Sequence, residues 1–322
     1  MLRSDFAESM KKDMYKSFLE GVQYDDYKPK YQEIFKVENS TAAYEKSTSI
    51  IGQGELTETI EGQDAPVREA KEGWTTLGKN RSFKEAYVIT RENQDDLQKV
   101  RGILKKLAYG WGSNWETTKD TLAAKFFNFG AIAAGNAVFN NAIPNVIADA
   151  TGNLIYDSIA LFNLTANSRT TKAGNTYYNH VGALGLTTAN IITAYNLMAV
   201  TNAYNEDGNK ITLTPDTLLI PPGLAFTADV IINSTLLPGG ANNDINTLKG
   251  KLNVIEWPAL TDTDGWFLGK AKKGLVFQNR MGLEIDFFED KKSKNWEATC
   301  MARAGVRADN WRFWIAANVE TT

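Results

Sequence analysis

The 322-residue chain contains one cysteine, Cys300, and one histidine, His180. A lone cysteine excludes an intrachain disulfide and a cysteine-rich metal site, and no Cys/His dyad with supporting spacing can be drawn. A zinc centre would have to be built almost wholly from carboxylates, so no catalytic, metal-ligating or cofactor-binding residue is assigned. Cys300 reads as a small hydrophobe in a strand and His180 as a loop residue. Long apolar runs are also missing, since no stretch reaches the roughly 18 residues that a membrane-spanning helix requires. Asp5, Glu8 and Asp13 make the N-terminus unlike a signal peptide, so the expected place of synthesis is a cytoplasm. Positive charge is not in surplus either: 35 Lys and Arg stand against 38 Asp and Glu, a net charge of −3. With no excess of cations to release counterions from a phosphate backbone, any contact with nucleic acid is expected to be weak and sequence-independent.

What is present is the composition of a globular protein, 43% hydrophobic and 23% charged, long enough for one large core or two modest ones. The strongest local pattern runs from Asp95 to Phe129. Leu97, Val100, Leu104, Leu107, Trp111, Trp115, Leu122, Phe126 and Phe129 recur mostly at three- and four-residue steps, the signature of one helix face. Asp95 with Gln98 suits a capping box, and an unbroken helix would be roughly 50 Å long at about 1.5 Å per residue. Gly102, Gly110 and Gly112 weaken it, so a bend is expected near Gly110 to Asn114. Trp111 and Trp115 are expected to pack together beneath the strand that carries Trp296 and Cys300.

On the N-terminal side, residues 1–36 mix charges with tyrosines and short helical signals from Phe6 to Phe18. They read as an arm lying across the subunit or a neighbour, or as a docked helix. Ile34 to Tyr44 reads as a short strand-like entry. Residues 47–85 are punctuated by Gly52, Gly54, Gly62, Gly73 and Gly78 and offer few large apolar residues. Their outer part carries Glu55, Glu58, Glu61, Asp64, Glu69 and Glu72, whereas Lys79, Arg81 and Lys84 follow on the return, where Thr75 to Val88 reads as a strand. A long two-stranded excursion without a core of its own is expected to project and to rest on a partner.

On the C-terminal side, a helix is expected from Thr187 to Tyr204, capped by Thr187 or Thr188. Strands are expected at Thr217 to Ile220, Leu252 to Glu256 and Trp266 to Leu268, with a helix from Gly223 to Ile232 after Pro221 and Pro222. That alternation defines a second α/β unit. Trp296, Ala298, Cys300 and Ala302 share one face of a strand by period two, Trp311 to Ala316 reads as another strand, and Arg303 and Arg307 are expected at the margin. The tryptophans of this region read as core anchors.

Three segments carry a family resemblance. EGWTTLGKNRSFKEAYVITRENQDD (72–96) resembles the descending limb of the extended loop and the entry to the spine helix in major capsid proteins of tailed bacteriophages. DTLLIPPGLAFTADVIINS (216–234) resembles that family's strand, double proline and helix, and NNDINTLKGKLNVIEWPALTDTDGWFLG (242–269) resembles its peripheral strand pair. The resemblance covers nearly everything from Tyr31 onward and extends to the Mu-like major head subunits. It implies an α+β protein of the Hong Kong-type phage capsid fold. The parts would be an N-terminal arm (1–46), an extended β-hairpin loop (47–88), a peripheral domain with the spine helix (89–139 and 295–308) and an axial α/β domain (140–294 and 309–322).

It further implies self-assembly into hexamers and pentamers of an icosahedral head enclosing double-stranded DNA, assembled in a host bacterial cytoplasm. Expected partners are other copies of the chain, a separate scaffolding protein, a portal and decoration proteins. Because no long scaffold segment precedes the arm, either the scaffold is a separate protein or the sequence begins after a cleavage, and Met1 favours the first. Some members of the family join subunits covalently between a loop lysine and an asparagine; Lys79 lies in the corresponding limb, but no partner asparagine can be named. Two other functions compete with this one. The first is an encapsulin-like shell around cargo enzymes. The second is a carboxylate-based hydrolase using Asp262 with Asp264 or Glu284 with Asp286, pairs that lack an accompanying nucleophile or metal kit.

Overall fold

In the computed structural model the described residues are 3–23, 28–51, 56–67, 69–90, 100–131, 159–171, 174–237, 244–290, 292–293 and 295–319. In chain order the helices are α1 (Arg3–Val22), α2 (Tyr31–Ile34), α3 (Val100–Asn128), α4 (Thr188–Asn196) and α5 (Ala225–Asn233). The strands are β1 (Lys36–Asn39), β2 (Tyr44–Ile51), β3 (Lys71–Lys79), β4 (Arg81–Ile89), β5 (Arg169–Thr170), β6 (Thr176–Tyr177), β7 (Thr217–Ile220), β8 (Asn253–Glu256), β9 (Trp266–Gly269), β10 (Leu275–Glu289), β11 (Trp296–Ala308) and β12 (Trp314–Ala317).

Two four-stranded sheets organise the chain. The first has the order β1-β10-β11-β4, with β1 parallel to β10 and the other pairs antiparallel. Along β11, Trp296, Ala298, Cys300, Ala302 and Ala304 are buried while the residues between them are partly exposed, which is the alternation expected from the sequence. The buried face carries α3. The second sheet has the order β12-β9-β7-β8, and every residue of β7, β9 and β12 is buried. Both of its faces are covered, which explains why these strands read as unbroken apolar runs. Leu218, Ile220, Trp266, Leu268 and Ile315 face α4 and α5, whereas Leu219, Ile255, Phe267 and Trp314 face the core that holds the C-terminal half of α3.

The long helix runs without interruption through Gly110 and Gly112. The glycine at 112 has another cause. A Cβ there would lie 2.8 Å from the Val22 nitrogen and closer still to the Phe18 carbonyl oxygen, and one on Gly21 would lie 2.9 Å from the Tyr109 carbonyl carbon. The two glycines let α1 cross α3 with backbones almost touching, and Met10, Met14 and Phe18 are buried at the crossing. Residues 3–22 therefore form a docked helix on this subunit. The seam begins at Val100 here; Asp95, Leu97 and Gln98 lie outside the described residues.

The two seam tryptophans part company. Trp111 joins the cluster of Phe287, Trp296 and Cys300, whereas Trp115 belongs to the larger core with Tyr31 and Ala302. One helical turn at a crossing is enough to send neighbouring anchors into different clusters. Asp120, fully buried on α3, accepts from the backbone nitrogens of Lys30 and Tyr31 (2.8 Å each) and from Trp257 Nε1 (2.6 Å). It thereby caps α2 and ties both ends of the core to the long helix.

Other departures are local. The expected strand from Thr75 to Val88 is two strands interrupted at Asn80, and Trp311–Phe313 forms a 3₁₀ turn before β12 begins. The helix capped by Thr187 continues beyond Asn196 as a π-helical turn, Leu197–Thr201. His180 lies outside the named strands, as a loop residue would, but is buried: it bridges to Ala316, and its Nδ1 accepts from the Gly182 nitrogen at 3.0 Å.

Candidate assembly surface

The hairpin of β2 and β3 is a separate two-stranded sheet. Beyond its paired positions the described residues 56–67 are all exposed, and Leu56, Ile60 and Val67 show 99%, 75% and 95% of their surface. Aliphatics this exposed are scarcely covered by the described residues, and a two-stranded ribbon is marginal by itself in water. Glu58, Glu61 and Asp64 share the exposed segment. Lys79, at the end of β3, is exposed as well.

The base of the hairpin is a polar joint. Asn80, 4% exposed, donates from Nδ2 to Ser40 Oγ (2.6 Å) and to the Ala42 carbonyl (2.9 Å). Ser40 Oγ donates in turn to Glu45 Oε1 at 2.7 Å. Hydrogen bonds from Ser40 and from the backbone nitrogens of Thr41 and Ala42 hold the Glu45 carboxyl below its ordinary value. Gly305 of β11 lies against this joint, since a Cβ there would sit 2.7 Å from the Lys79 carbonyl oxygen. Arg307 closes the other side, donating to Glu38 and Asp309 at 2.8 Å each. Arg307 is thus an ion-paired member of the joint, whereas Arg303 is partly buried on β11. Nothing in the sequence singled out Asn80; the interruption it makes between two β-patterned runs was the available signal.

The chemistry-bearing pairs are occupied structurally. Asp262 Oδ1 accepts from the nitrogens of Asp264 and Gly265 (3.1 Å each), and Asp264 Oδ2 accepts from Asn318 Nδ2 at 2.9 Å. Burial, first of all, pushes the Asp262 carboxyl above its ordinary value. The pair braces a turn against the C-terminal segment. Glu284 and Asp286 are exposed on β10, and Asp286 takes Lys11 Nζ at 2.6 Å. Burial pushes the Cys300 thiol up to about 11, which keeps it protonated and inert at neutral pH. Among the described residues no three His, Cys, Asp or Glu side chains are grouped to hold a metal ion.

A sheet bearing one long helix, a second sheet with its own helices and a projecting hairpin form the subunit fold of tailed-phage heads. Solved structures share it: the capsid of cyanophage P-SCSP1u (10% identity, 93% of this chain and 90% of that one, TM-score 0.57), the mature capsid of bacteriophage PhiM1 (11%, 93% and 90%, 0.54) and Mycobacterium phage Bobi (12%, 93% and 93%, 0.51). No curated protein matches the chain in sequence. The profile of the phage capsid protein family matches residues 81–317, and the chain belongs to that family. It is a structural major capsid protein of the phage head.

Proposed function

We propose that the subunit assembles into hexamers and pentamers of an icosahedral shell around double-stranded DNA, with the hairpin carrying contacts between copies. The observation that supports this most is the hairpin itself, whose outer segment leaves Leu56, Ile60 and Val67 exposed beyond the part of β3 that packs beside β11. Burying them against a neighbour removes apolar surface from water at each of many equivalent contacts, so individually modest interactions suffice for a closed shell. Residues 1–46 serve as the arm and 47–88 as the loop. The first sheet with α3 acts as the peripheral domain and the second sheet with α4 and α5 as the axial domain. We place β10 with the former because it pairs along β11. A scaffolding protein, a portal and decoration proteins are the remaining partners, head assembly takes place in the host cytoplasm, and the Mu-like head subunits are the subgroup.

The role is structural and requires no chemical step. The test is electron microscopy of purified protein with and without residues 56–67. Closed shells from the full chain and folded, unassembled subunits from the shortened one are expected; shells of normal yield from the shortened chain would refute the role of the hairpin.

A further inference from the structure

β4 is the outer strand of the first sheet, and a cleft of about 370 Å³ opens between it and α3. Trp111, Asn114 and Trp115 follow one another at three- and four-residue steps and form a stripe along the helix wall of the cleft. Phe83 and Glu85 face them from β4, since they pair with Ala302 and Cys300, which are buried on the helix side of β11. The Phe83 ring lies 5.5 Å from that of Trp115, and Tyr87 stacks on Trp111 at 5.2 Å. Leu283 and the protonated Cys300 thiol add neutral lining.

One charge stands in this lining without a counter-charge. Glu85 Oε2 accepts from Trp111 Nε1 at 2.8 Å, and Oε1 accepts from the Tyr87 hydroxyl at 2.9 Å. Both donors are neutral, so they orient the carboxylate and leave its charge in place. Among the described residues no cation pairs with it. Lys119 is engaged elsewhere, with Glu116 at 2.7 Å, and Lys84 borders the cleft but alternates to the opposite face of β4.

An oriented carboxylate among aromatic rings attracts an organic cation in two ways, through a charged hydrogen bond and through the ring faces. The apolar walls favour a stem of methylene groups over a hydrated inorganic ion, and the volume falls within the roughly 300–1,000 Å³ of small-molecule sites. We propose that this cleft binds a linear alkylammonium ion of the free polyamine class, with an ammonium on Glu85 and its methylene stem against Phe83, Trp111 and Trp115. A lysine side chain of another protein carries the same group, and the experiment below separates the two sources. The site lies within the body of one subunit and does not depend on how copies associate.

The test is isothermal titration of the full-length, unassembled subunit with spermidine at fixed ionic strength. Saturable binding at a single site is expected, with a change in tryptophan fluorescence at the same midpoint and a rise in melting temperature. Glu85→Gln keeps an acceptor for Trp111 Nε1 but removes the charge, so binding should weaken roughly tenfold or more while circular dichroism stays at the wild-type signal. Asn114→Lys, at an exposed helix position on the rim, places a tethered ammonium beside the cleft and should compete with spermidine to a similar extent. If Glu85→Gln misfolds, Asn114→Lys carries the test. Undiminished binding by either folded variant would overturn the inference, as would a wild-type subunit that shows no saturable binding. Equal competition by magnesium would overturn it too, because the cleft would then hold any counter-ion. Tighter binding of N-acetyl-lysine methylamide than of spermidine would assign the cleft to a lysine of a protein partner and overturn the polyamine reading.

Discussion

β3 and β4 are successive nine-residue strands of one chain separated only by Asn80, yet they pair in different sheets. β4 lies in a four-stranded sheet where Phe83 and Tyr87 meet Trp115 and Trp111. β3 pairs with β2 alone and leads to a tip whose large aliphatics are almost fully exposed. In the proposed assembly, stability and association fall to different segments. The body buries Trp111, Trp115, Trp257, Trp296 and Trp314, whereas the outer hairpin leaves Leu56, Ile60 and Val67 exposed for the proposed contact with another copy.

Substitutions can break this contrast. The largest loss belongs to Trp257→Ala, which empties a fully buried site of the main core and frees Asp120 of a donor. A cost of about 3–5 kcal/mol is expected, readable in urea unfolding of the unassembled subunit. Next comes Gly112→Ala. Its methyl group would strike the α1 backbone and should cost about 1–3 kcal/mol, whereas Gly102→Ala, with nothing within 4 Å, should stabilise by up to about 1 kcal/mol. If the two glycines behave alike, the close helix crossing is wrong.

A smaller, pH-dependent effect is assigned to His180. Burial lowers its proton affinity, and Nδ1 already accepts from Gly182, so the folded state holds the neutral ring. The unfolded chain binds the proton more readily. The contribution of His180 is therefore complete above about pH 6.5 and declines as pH falls from there toward the lower folded value. His180→Asn should flatten that part of the stability–pH curve, and an unchanged slope would remove His180 as the cause. Smallest of all is removal of residues 56–67, expected to leave the melting temperature of the free subunit unchanged while abolishing shells. A large drop in melting temperature would show the hairpin to be part of the fold.

Much of the body was legible in the sequence because periodicity reports burial directly. The three-and-four spacing from Leu104 to Phe126 and the alternation from Trp296 to Ala302 both hold. What escaped was decided by partners distant in the chain. Gly112 reads as a helix breaker when it is a contact point for Phe18 and Val22, and Trp111 and Trp115 share a seam but serve different clusters. His180 gives no local hint that Ala316 will lie beside it. The surface was legible in part: the poverty of apolar mass and the acid-rich tip marked the hairpin. The joint at Asn80 depends on Ser40 and Ala42 some forty residues away, beyond any local pattern.

The two short joints at the base of the hairpin also decide how the subunit carries load. Any pull that a neighbour exerts on the hairpin enters the body at residues 40–43, which lead to β1, and at Asn80, which leads to the Arg81 end of β4. When that pull runs along β4, the ladder to β11 takes it in shear, and all the rungs from Arg81↔Ala304 to Ile89↔Trp296 share it at once. A pull across the strand would instead peel them apart one after another, at far lower force. β10 then passes the tension on to β1, through residues that pair in the same sheet. Under pressure from its contents, a shell built this way would behave as a net of tendons, and its bursting strength would depend on the direction in which each hairpin leaves its sheet.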